Sequence, residues 1–259
     1  MSNLSGNLIA LHTIVRREIV RIMRIWTQTL IPPAITMTLY FVIFGKLIGS
    51  RIGTIQGGFT YMQYIVPGLA MMSIITNSYG NISSSFFGAK FQRSVEEMLV
   101  SPMSNWVILL GYVTGAVARG LVVGVLVLVI ALGFTSLHIQ HPFITLLSVL
   151  LGATIFSLAG FVNAIYAKKF DDIALVPTFV LTPLTYLGGV FYSVSMLGEP
   201  WQAISRVNPI LYMVNAFRYG VLGISDVQVG VAFAVMLGFV VVLSWLALNL
   251  LSRGVGLRS

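Results

Sequence analysis

The sequence predicts an all-α integral membrane protein, and three observations support this class. Of the 259 residues, 57% are hydrophobic and only 8% are charged, whereas soluble domains average about 45–50% and about 25%. The mean hydropathy is +0.94. Residues 25–45 and 52–89 carry no charge, and runs of about 18 or more such residues indicate membrane spans. The alternating pattern of an outer-membrane barrel is absent.

The first predicted element is an amphipathic helix within residues 1–26. Apolar residues recur there at helical spacing, at Leu8, Leu11, Val15, Ile19, Ile22 and Trp26. Arg17, Arg21 and Arg24 fall on another face. A basic stripe opposite an apolar one suits a helix that lies in the lipid headgroup layer. A solvated helix that leads into the first span is the alternative.

Six membrane spans are predicted within a single domain that covers residues 27–259. They lie at about 27–48, 61–88, 105–133, 143–167, 173–192 and 229–252. At about 1.5 Å per residue, each is long enough to cross about 30 Å of hydrocarbon. In the fifth span, Pro177 and Pro183 predict a bend, whose freed carbonyls Thr178 or Thr182 would satisfy.

The segment between the fifth and sixth spans, 192–228, is apolar but interrupted. Pro200, Pro209, Gly220 and Gly223 exclude one straight span. Two short half-helices that re-enter the membrane from outside would fit, provided that protein surrounds the broken backbone. Three residues of this outer hairpin are candidates for an outer gate: Glu199, Trp201 and Arg206. Interfacial anchoring is the alternative.

The distribution of lysine and arginine predicts that both termini are cytoplasmic. With the N-terminus inside, the inner segments hold ten: Arg16, Arg17, Arg21, Arg24, Lys90, Arg93, Lys168, Lys169, Arg253 and Arg258. The outer segments hold four: Lys46, Arg51, Arg206 and Arg218. Cytoplasmic loops of membrane proteins carry the excess of these residues.

The charged stretch KFQRSVEEMLVSPMS, residues 90–104, is then a cytoplasmic loop. Phe91, Val95, Met98 and Leu99 follow helical spacing, while Arg93 and Glu97 fall on another face. Pro102 would stop the helix. Apolar side chains beside orienting charges favour a docking surface for a cytoplasmic partner. An ordinary solvated connector is the alternative.

The composition argues against catalysis on this chain. There is no cysteine, only three histidines and no P-loop pattern, so we expect no catalytic site, no metal and no cofactor. The net charge of +8 is assigned to topology and anionic lipids rather than to nucleic acid. Uphill transport would then draw on an ion gradient or on a separate ATPase.

Three polar residues are candidates for a substrate path: Arg119, Asn77 and Asn81. Arg119 lies about 21 Å along its span, and charge at such depth marks function by default. Structural roles, as a carbonyl cap or in interhelical hydrogen bonds, are the alternatives. None of the seven acids is expected inside a span, and Glu18 is assigned to the cytoplasmic side.

The 181–218 segment resembles the signature of the ABC-2 type transport permeases. It reads Leu181-x2-Leu184-x2-Leu187-Gly188-x-Val190, then Leu197-Gly198, then Pro209-Ile210-x-Tyr212-x5-Arg218. The EEMLVSP loop and the RGVGLRS tail agree with it. The stretches MRIWTQTLIPPAITMTLYFVIFG, FGAKFQRSVEEML and FDDIALVPTFVLTPLTYLGGVFYS are similar to inner-membrane permeases of Gram-negative bacteria.

The resemblance implies the membrane subunit of an ATP-binding cassette exporter in the bacterial inner membrane. Such permeases pair with a second copy and bind two ATPase subunits, which hold the ATP and magnesium. The family's coupling helix maps to residues 90–103 here, with Lys90, Phe91, Arg93, Val95, Glu96, Glu97, Met98, Leu99 and Pro102. A gradient-driven secondary transporter is the alternative, but it usually needs membrane-embedded carboxylates, and none is predicted.

Overall fold

The computed structural model describes residues 4–55 and 58–256, and its regular elements there are helices. The first half contains α1 (Leu4–Arg24), α2 (Trp26–Tyr40), α3 (Gly49–Ile52), α4 (Tyr61–Phe91), α5 (Ser94–Val100) and α6 (Asn105–Leu132). The second half contains α7 (Pro142–Tyr166), α8 (Phe170–Val176), α9 (Thr182–Leu187), α10 (Glu199–Val207), α11 (Pro209–Leu222) and α12 (Val229–Arg253). The all-α prediction is confirmed for this part of the chain.

Five helical segments among the described residues are long and apolar enough to cross a membrane. They are Trp26–Ile52, Asn105–Leu132, Pro142–Tyr166, Phe170–Leu187 and Val229–Arg253. They coincide with five of the six predicted spans. The fifth span begins at Phe170 and ends at Leu187, earlier than predicted at both ends. It ends there because the chain turns at Gly188 and Gly189.

The second predicted span forms α4, which is long but less apolar. Its 31 residues extend over about 46 Å. Gln63, Asn77, Asn81 and the run 83–85 of three serines lower its hydropathy. The helix lies at the centre of the bundle against α6, α7 and α11. The total of six spans therefore stays a prediction.

Two of the spans contain π-helical segments. In the first, residues Phe41–Ile48 continue α2 with wider turns. In the other, Pro177–Leu181 joins α8 to α9. The Thr182 hydroxyl donates to the Pro177 carbonyl at 2.9 Å, alongside the Thr182 amide. The Ile173 carbonyl, which Pro177 leaves without an amide, accepts from the Asn163 side chain at 3.3 Å.

Helix α1 runs parallel to α6 in a constant register. The Ser104 amide donates to the Asn7 side chain at 3.2 Å, across a separation of 97 positions. The same offset pairs Ile14 with Gly111 and Glu18 with Gly115. A Cβ atom at residue 115 would lie 2.4 Å from the Glu18 Cβ, so glycine is needed for this approach. The predicted N-terminal helix is present, while its position in a headgroup layer stays a prediction.

Two hydrophobic cores lie along the length of α4. The first surrounds its N-terminal half and includes Tyr64 and Met213 of α11. The second surrounds its C-terminal half and joins Ile14 of α1, Val95 of α5 and Leu251 of α12. Helices α1 and α5, which the sequence assigns to the cytoplasmic side, thus pack onto the same core.

Candidate functional site

The charged loop is a bent continuation of α4 rather than one helix over 90–103. Helix α4 ends at Phe91, and Arg93 takes a left-handed conformation with φ of 60°. Helix α5 then covers only Ser94–Val100. The helix ends before Pro102, as predicted. The left-handed turn at Arg93 lets the chain change direction without a longer loop.

The two faces of α5 differ from the predicted assignment. Val95 is 1% exposed, and Met98 and Leu99 pack against the same core. The predicted apolar docking face therefore packs onto the protein itself. Val100 is 87% exposed, and Glu97 is exposed beside it. Of these two outward residues, Glu97 was among the predicted coupling residues and Val100 was not.

Lys90 also points into the protein. Its Nζ donates to the Ile165 carbonyl at 2.6 Å and to the Ala167 carbonyl at 2.7 Å. These carbonyls lie at the C-terminal end of α7, where free carbonyls and the helix dipole favour a cation. Lys90 therefore ties the end of α4 to the end of α7. The Lys90 ammonium group is thus used for a contact within the chain rather than displayed for a partner.

An aromatic cluster joins the loop after α4 to the loop after α7. The Phe87 and Phe170 ring centroids are 4.9 Å apart, and those of Phe91 and Phe170 are 5.3 Å apart. Phe91 is 67% exposed, and Phe170 is exposed as well. Together with Arg93, Glu97 and Val100, these two rings define what we call the α5 surface. The half-buried Glu96 borders it.

Glu18 is buried in the bundle, while its place on the cytoplasmic side stays a prediction. It is 1% exposed and lies 3.2 Å from Arg21 and 3.7 Å from Arg17. The Ser85 hydroxyl donates to both carboxylate oxygens, at 2.6 and 2.8 Å. The sequence reading missed this site because Glu18 occurs in a basic segment outside the apolar runs. Glu18 is four residues from both Ile14 and Ile22, so helical spacing places it on the same side as these apolar residues. This spacing was the signal available in the sequence.

Three further bonds tie the same arginines to the long helices. Arg21 donates to the Asn81 side-chain oxygen at 2.8 Å and to its carbonyl at 3.1 Å. Arg17 donates to the Tyr112 hydroxyl of α6. Arg17, Glu18, Arg21, Asn81 and Ser85 form what we call the N-terminal ionic cluster.

The three candidate path residues have different surroundings. Asn81 is fully buried in the N-terminal ionic cluster. Arg119 is half-buried nearby and is repelled by Arg21. Within residues 4–55 and 58–256 no hydrogen bond or ion pair holds the Arg119 guanidinium, and its Nε is buried without a partner. Asn77 donates to the Ser73 carbonyl of its own helix at 3.0 Å.

Arg218 of the signature holds three segments together. It is fully buried, and its Nη2 donates to the Gly189 carbonyl at 2.7 Å. Its guanidinium carbon lies 4.0 Å above the Tyr64 ring centroid, a cation–π contact. Arg218 is therefore not a loop charge, as the orientation count assumed. It joins α11 and the turn after α9 to the N-terminal half of α4.

The other signature residues make local contacts within the segment 181–218, which we call the signature hairpin. Its re-entry into the membrane stays a prediction. Pro209 begins α11 after Asn208, whose side chain accepts from the Ile210 amide at 2.9 Å. A Cβ atom at Gly188 would lie 2.7 Å from Ile210 Cγ2. The Tyr212 hydroxyl donates to the Arg206 carbonyl at 2.7 Å. Two further signature residues mark helix ends: Leu187 ends α9 and Gly198 precedes α10.

The candidate outer-gate residues lie on α10. Glu199, Trp201 and Arg206 are all exposed there. In the described structure Glu199 and Arg206 form no ion pair with each other. Trp201, Ile204 and Val207 leave an apolar side of this short helix uncovered. The predicted gate stays a prediction.

Comparisons with known proteins agree with this architecture. Residues 9–222 match the family described as ABC-2 type transporter. The chain is 58% identical over 251 residues to the inner membrane transport permease YadH of Escherichia coli K12, covering 97% of this chain and 98% of that protein. YadH of Shigella flexneri gives the same values. Nodulation protein J of Rhizobium meliloti is 28% identical over 221 residues, covering 83% of this chain and 82% of that protein.

The match covers the N-terminal helix, α4, the α5 loop and the signature hairpin. Together with five apolar helices of spanning length, it makes the chain a multi-pass membrane protein of the transport permease type. The chain belongs to the ABC-2 type transporter family.

Proposed function

We propose that the chain is the permease subunit of an ATP-binding cassette exporter, which moves its substrate outward across the bacterial inner membrane. ATP and magnesium are bound by a separate ATPase subunit. The observation that carries this proposal is the way in which α5 is attached to the bundle. Val95 fixes its inner face to the core, while Glu97 and Val100 are exposed on its outer side. Such an element transmits force from a partner to the bundle.

The force would pass along α4. At one end α4 continues through the Arg93 turn into α5. At the other end, Tyr61 donates to the Phe191 carbonyl at 3.1 Å, and Tyr64 contacts Arg218. A helix about 46 Å long thus joins the α5 surface to the signature hairpin. Rigid-body movement of such a unit is a common way to switch access between two sides.

The α5 surface is suited to an ATPase groove. Phe91, Phe170 and Val100 supply exposed apolar area. Arg93 and Glu97 supply charges of both signs, which fix the orientation of a partner. Exposed aromatic rings at a loop end are typical of interface anchors.

A second copy of the chain would cover one side of α4. Although α4 is the central helix, Thr76, Gly80 and Ser84 remain exposed at four-residue spacing. The two hydroxyls donate to carbonyls of their own helix, and residues this small let another helix approach closely. This side would therefore face another copy. Two permease chains would then present two α5 surfaces to two ATPase subunits.

The burial of Glu18 is the one observation that favours a gradient-driven secondary transporter, because such proteins use embedded carboxylates. However, Glu18 is paired with two arginines and with Ser85. A carboxylate that bonds two arginines and a serine of another helix is suited to hold helices together. The exporter is therefore the preferred function.

The first experiment is purification of the tagged chain from its native host in mild detergent, with mass spectrometry of the proteins that accompany it. We expect a stoichiometric cytoplasmic protein that carries a P-loop. A chain that purifies alone in several detergents, with an ATP analogue present, would contradict the exporter and favour the gradient-driven alternative.

A paired substitution tests the α5 surface directly. Val100→Asp places a charge at a residue that is 87% exposed, and Val207→Asp does the same at one that is 83% exposed on α10. Neither change buries a charge, so both variants should fold. We expect Val100→Asp to lose the ATPase during purification and Val207→Asp to retain it. Equal retention by both would show that α5 is not the contact.

A further inference from the structure

A polar cleft lies between α1 and the C-terminal end of α4. Its volume is about 300 Å³, at the lower end of the range for small-ligand sites. Six of its lining residues carry polar or charged side chains that bear on its chemistry: Arg17, Glu18, Arg21, Ser84, Ser85 and Ser94. We call it the α1–α4 cleft.

The charges around the cleft do not balance. Arg17 and Arg21 face a single carboxylate, Glu18. Arg119 adds a third guanidinium close enough to repel Arg21, and it has no hydrogen bond or ion pair within the described chain. An excess of positive charge in a partly buried site is costly unless an anion offsets it.

Buried donors at the same place lack acceptors. Asn81 is fully buried, and its Nδ2 has no partner within the described residues. The Nε atoms of Arg21 and Arg119 are also buried without partners. Each such group costs about 1–3 kcal/mol. Of these residues only Arg21 lines the cleft, and Asn81 is bonded to it. A ligand that only accepts hydrogen bonds would suit a cleft bordered by such donors.

We infer that the α1–α4 cleft binds the oxyanion of a phosphate ester, either a lipid headgroup or a free phosphate. Guanidinium groups match phosphate oxygens in geometry. The Ser94 hydroxyl would add a neutral donor, since the hydroxyls of Ser84 and Ser85 already donate within the protein. Glu18 would orient Arg17 and Arg21 from behind, as its bonds to Arg21 and Ser85 indicate. The inference does not rest on the proposed function, because binding can be measured without ATPase or transport.

The test uses the purified full-length permease in dodecyl maltoside, with thermal unfolding followed by tryptophan fluorescence. One arm adds inorganic phosphate, with chloride at equal ionic strength as its reference. The other arm adds dioleoylphosphatidylglycerol, with dioleoylphosphatidylcholine as its reference. A ligand that binds the folded state raises the midpoint, and the rise grows with the logarithm of its concentration relative to its Kd. Stabilisation in the first arm indicates a free phosphate, and stabilisation in the second arm alone indicates a lipid headgroup.

Matched variants locate the effect in the cleft. Arg17→Gln removes a cleft cation but leaves Glu18 paired with Arg21. Arg16→Gln removes the same charge from the exposed neighbouring position. We expect Arg17→Gln to weaken the apparent affinity by about tenfold or more, the size expected for lost bonds to a charged ligand. Arg16→Gln should change it by less than about threefold.

A second variant protects the test against misfolding. Ser94→Asp puts a carboxylate at the cleft, in the first turn of α5, where acids are favourable to a helix. It should abolish the stabilisation by added anions, while the unfolding midpoint without ligand should stay the same or rise, because the new carboxylate offsets the cleft arginines. Equal effects of the anionic probes and their references, or equal losses in Arg16→Gln and Arg17→Gln, would overturn the inference.

Discussion

Arg218 and Arg119 show how differently an arginine can be placed within the same bundle. Arg218 is fully buried, donates to the Gly189 carbonyl and stacks on Tyr64. Arg119 is half-buried, and no hydrogen bond or ion pair holds it among the residues that the structure describes. The first arrangement stabilises the fold. The second leaves a charge that costs free energy and is therefore expected to serve function.

Substitution of Arg218 should damage stability. Arg218→Met removes the bond to Gly189 and leaves that buried carbonyl without its donor, which should cost at least about 2 kcal/mol. Arg218→Lys should not restore the loss, because lysine lacks the planar group that both donates and stacks. The measurement is the thermal unfolding midpoint in detergent. An unchanged midpoint for the methionine variant would show that the contacts of Arg218 do not stabilise the fold.

Substitution of Arg119 should have the opposite effect. Arg119→Met removes a partly buried charge that has no partner, so the unfolding midpoint should stay the same or rise. Transport should fall strongly if the guanidinium contacts an anionic substrate, while co-purification of the ATPase should not change. Normal transport at matched expression would contradict the hypothesis that Arg119 lies in the substrate path.

At the scale of elements, the packing of α1 on α6 decides where the ionic cluster forms. The parallel register brings Glu18 against Gly115 and Ile14 against Gly111. Because α1 lies so close, Arg17 and Arg21 reach side chains on α6 and α4. A helix that rested loosely on the membrane surface would not bring these groups together.

A glycine pair tests this helix contact. In Gly115→Ala the new Cβ would lie 2.4 Å from the Glu18 Cβ, whereas Gly238 of α12 has open space around it. Gly115→Ala should therefore lower the unfolding midpoint and expose α1 to proteolysis. Gly238→Ala should leave it unchanged or raise it, since alanine favours a helix by up to about 1 kcal/mol. Equal midpoints would mean that α1 packs more loosely than the structure indicates.

At the scale of the whole molecule, α4 connects the surfaces that the proposed function uses. Its C-terminal end carries α5, and its N-terminal end meets the signature hairpin. Its exposed polar side, with Thr76, Gly80 and Ser84, is the place where a second copy would pack. One helix thus contributes to ATPase contact, pairing and the outer hairpin.

Cross-linking tests the pairing. The chain has no cysteine, so a single Gly80→Cys gives one defined thiol on the exposed side of α4. Oxidation in native membranes should yield a disulfide-linked dimer. Gly238→Cys, which lies on exposed α12, should remain monomeric. A dimer through position 238 but not through position 80 would place the pairing surface on α12 instead.

Much of the architecture followed from the sequence. Five predicted spans coincide with apolar helices, because membrane thickness sets the length of an uncharged run. The end of α5 before Pro102 was also predicted from a local pattern, whereas the left-handed turn at Arg93 was not. The family signature, too, was readable, although the role of Arg218 as a buried clamp was not.

The side-chain environments depended on tertiary structure. Lys90, Val95 and Glu18 occur in segments that read as solvated or partner-facing, yet all three contact residues of other helices. In lipid, buried and lipid-facing side chains are both apolar, so hydrophobic periodicity marks a helix without telling which side a neighbour covers. The sequence therefore determined the helices and the family. Only the packing of distant segments decided which charges are buried, which are satisfied, and which remain for a ligand.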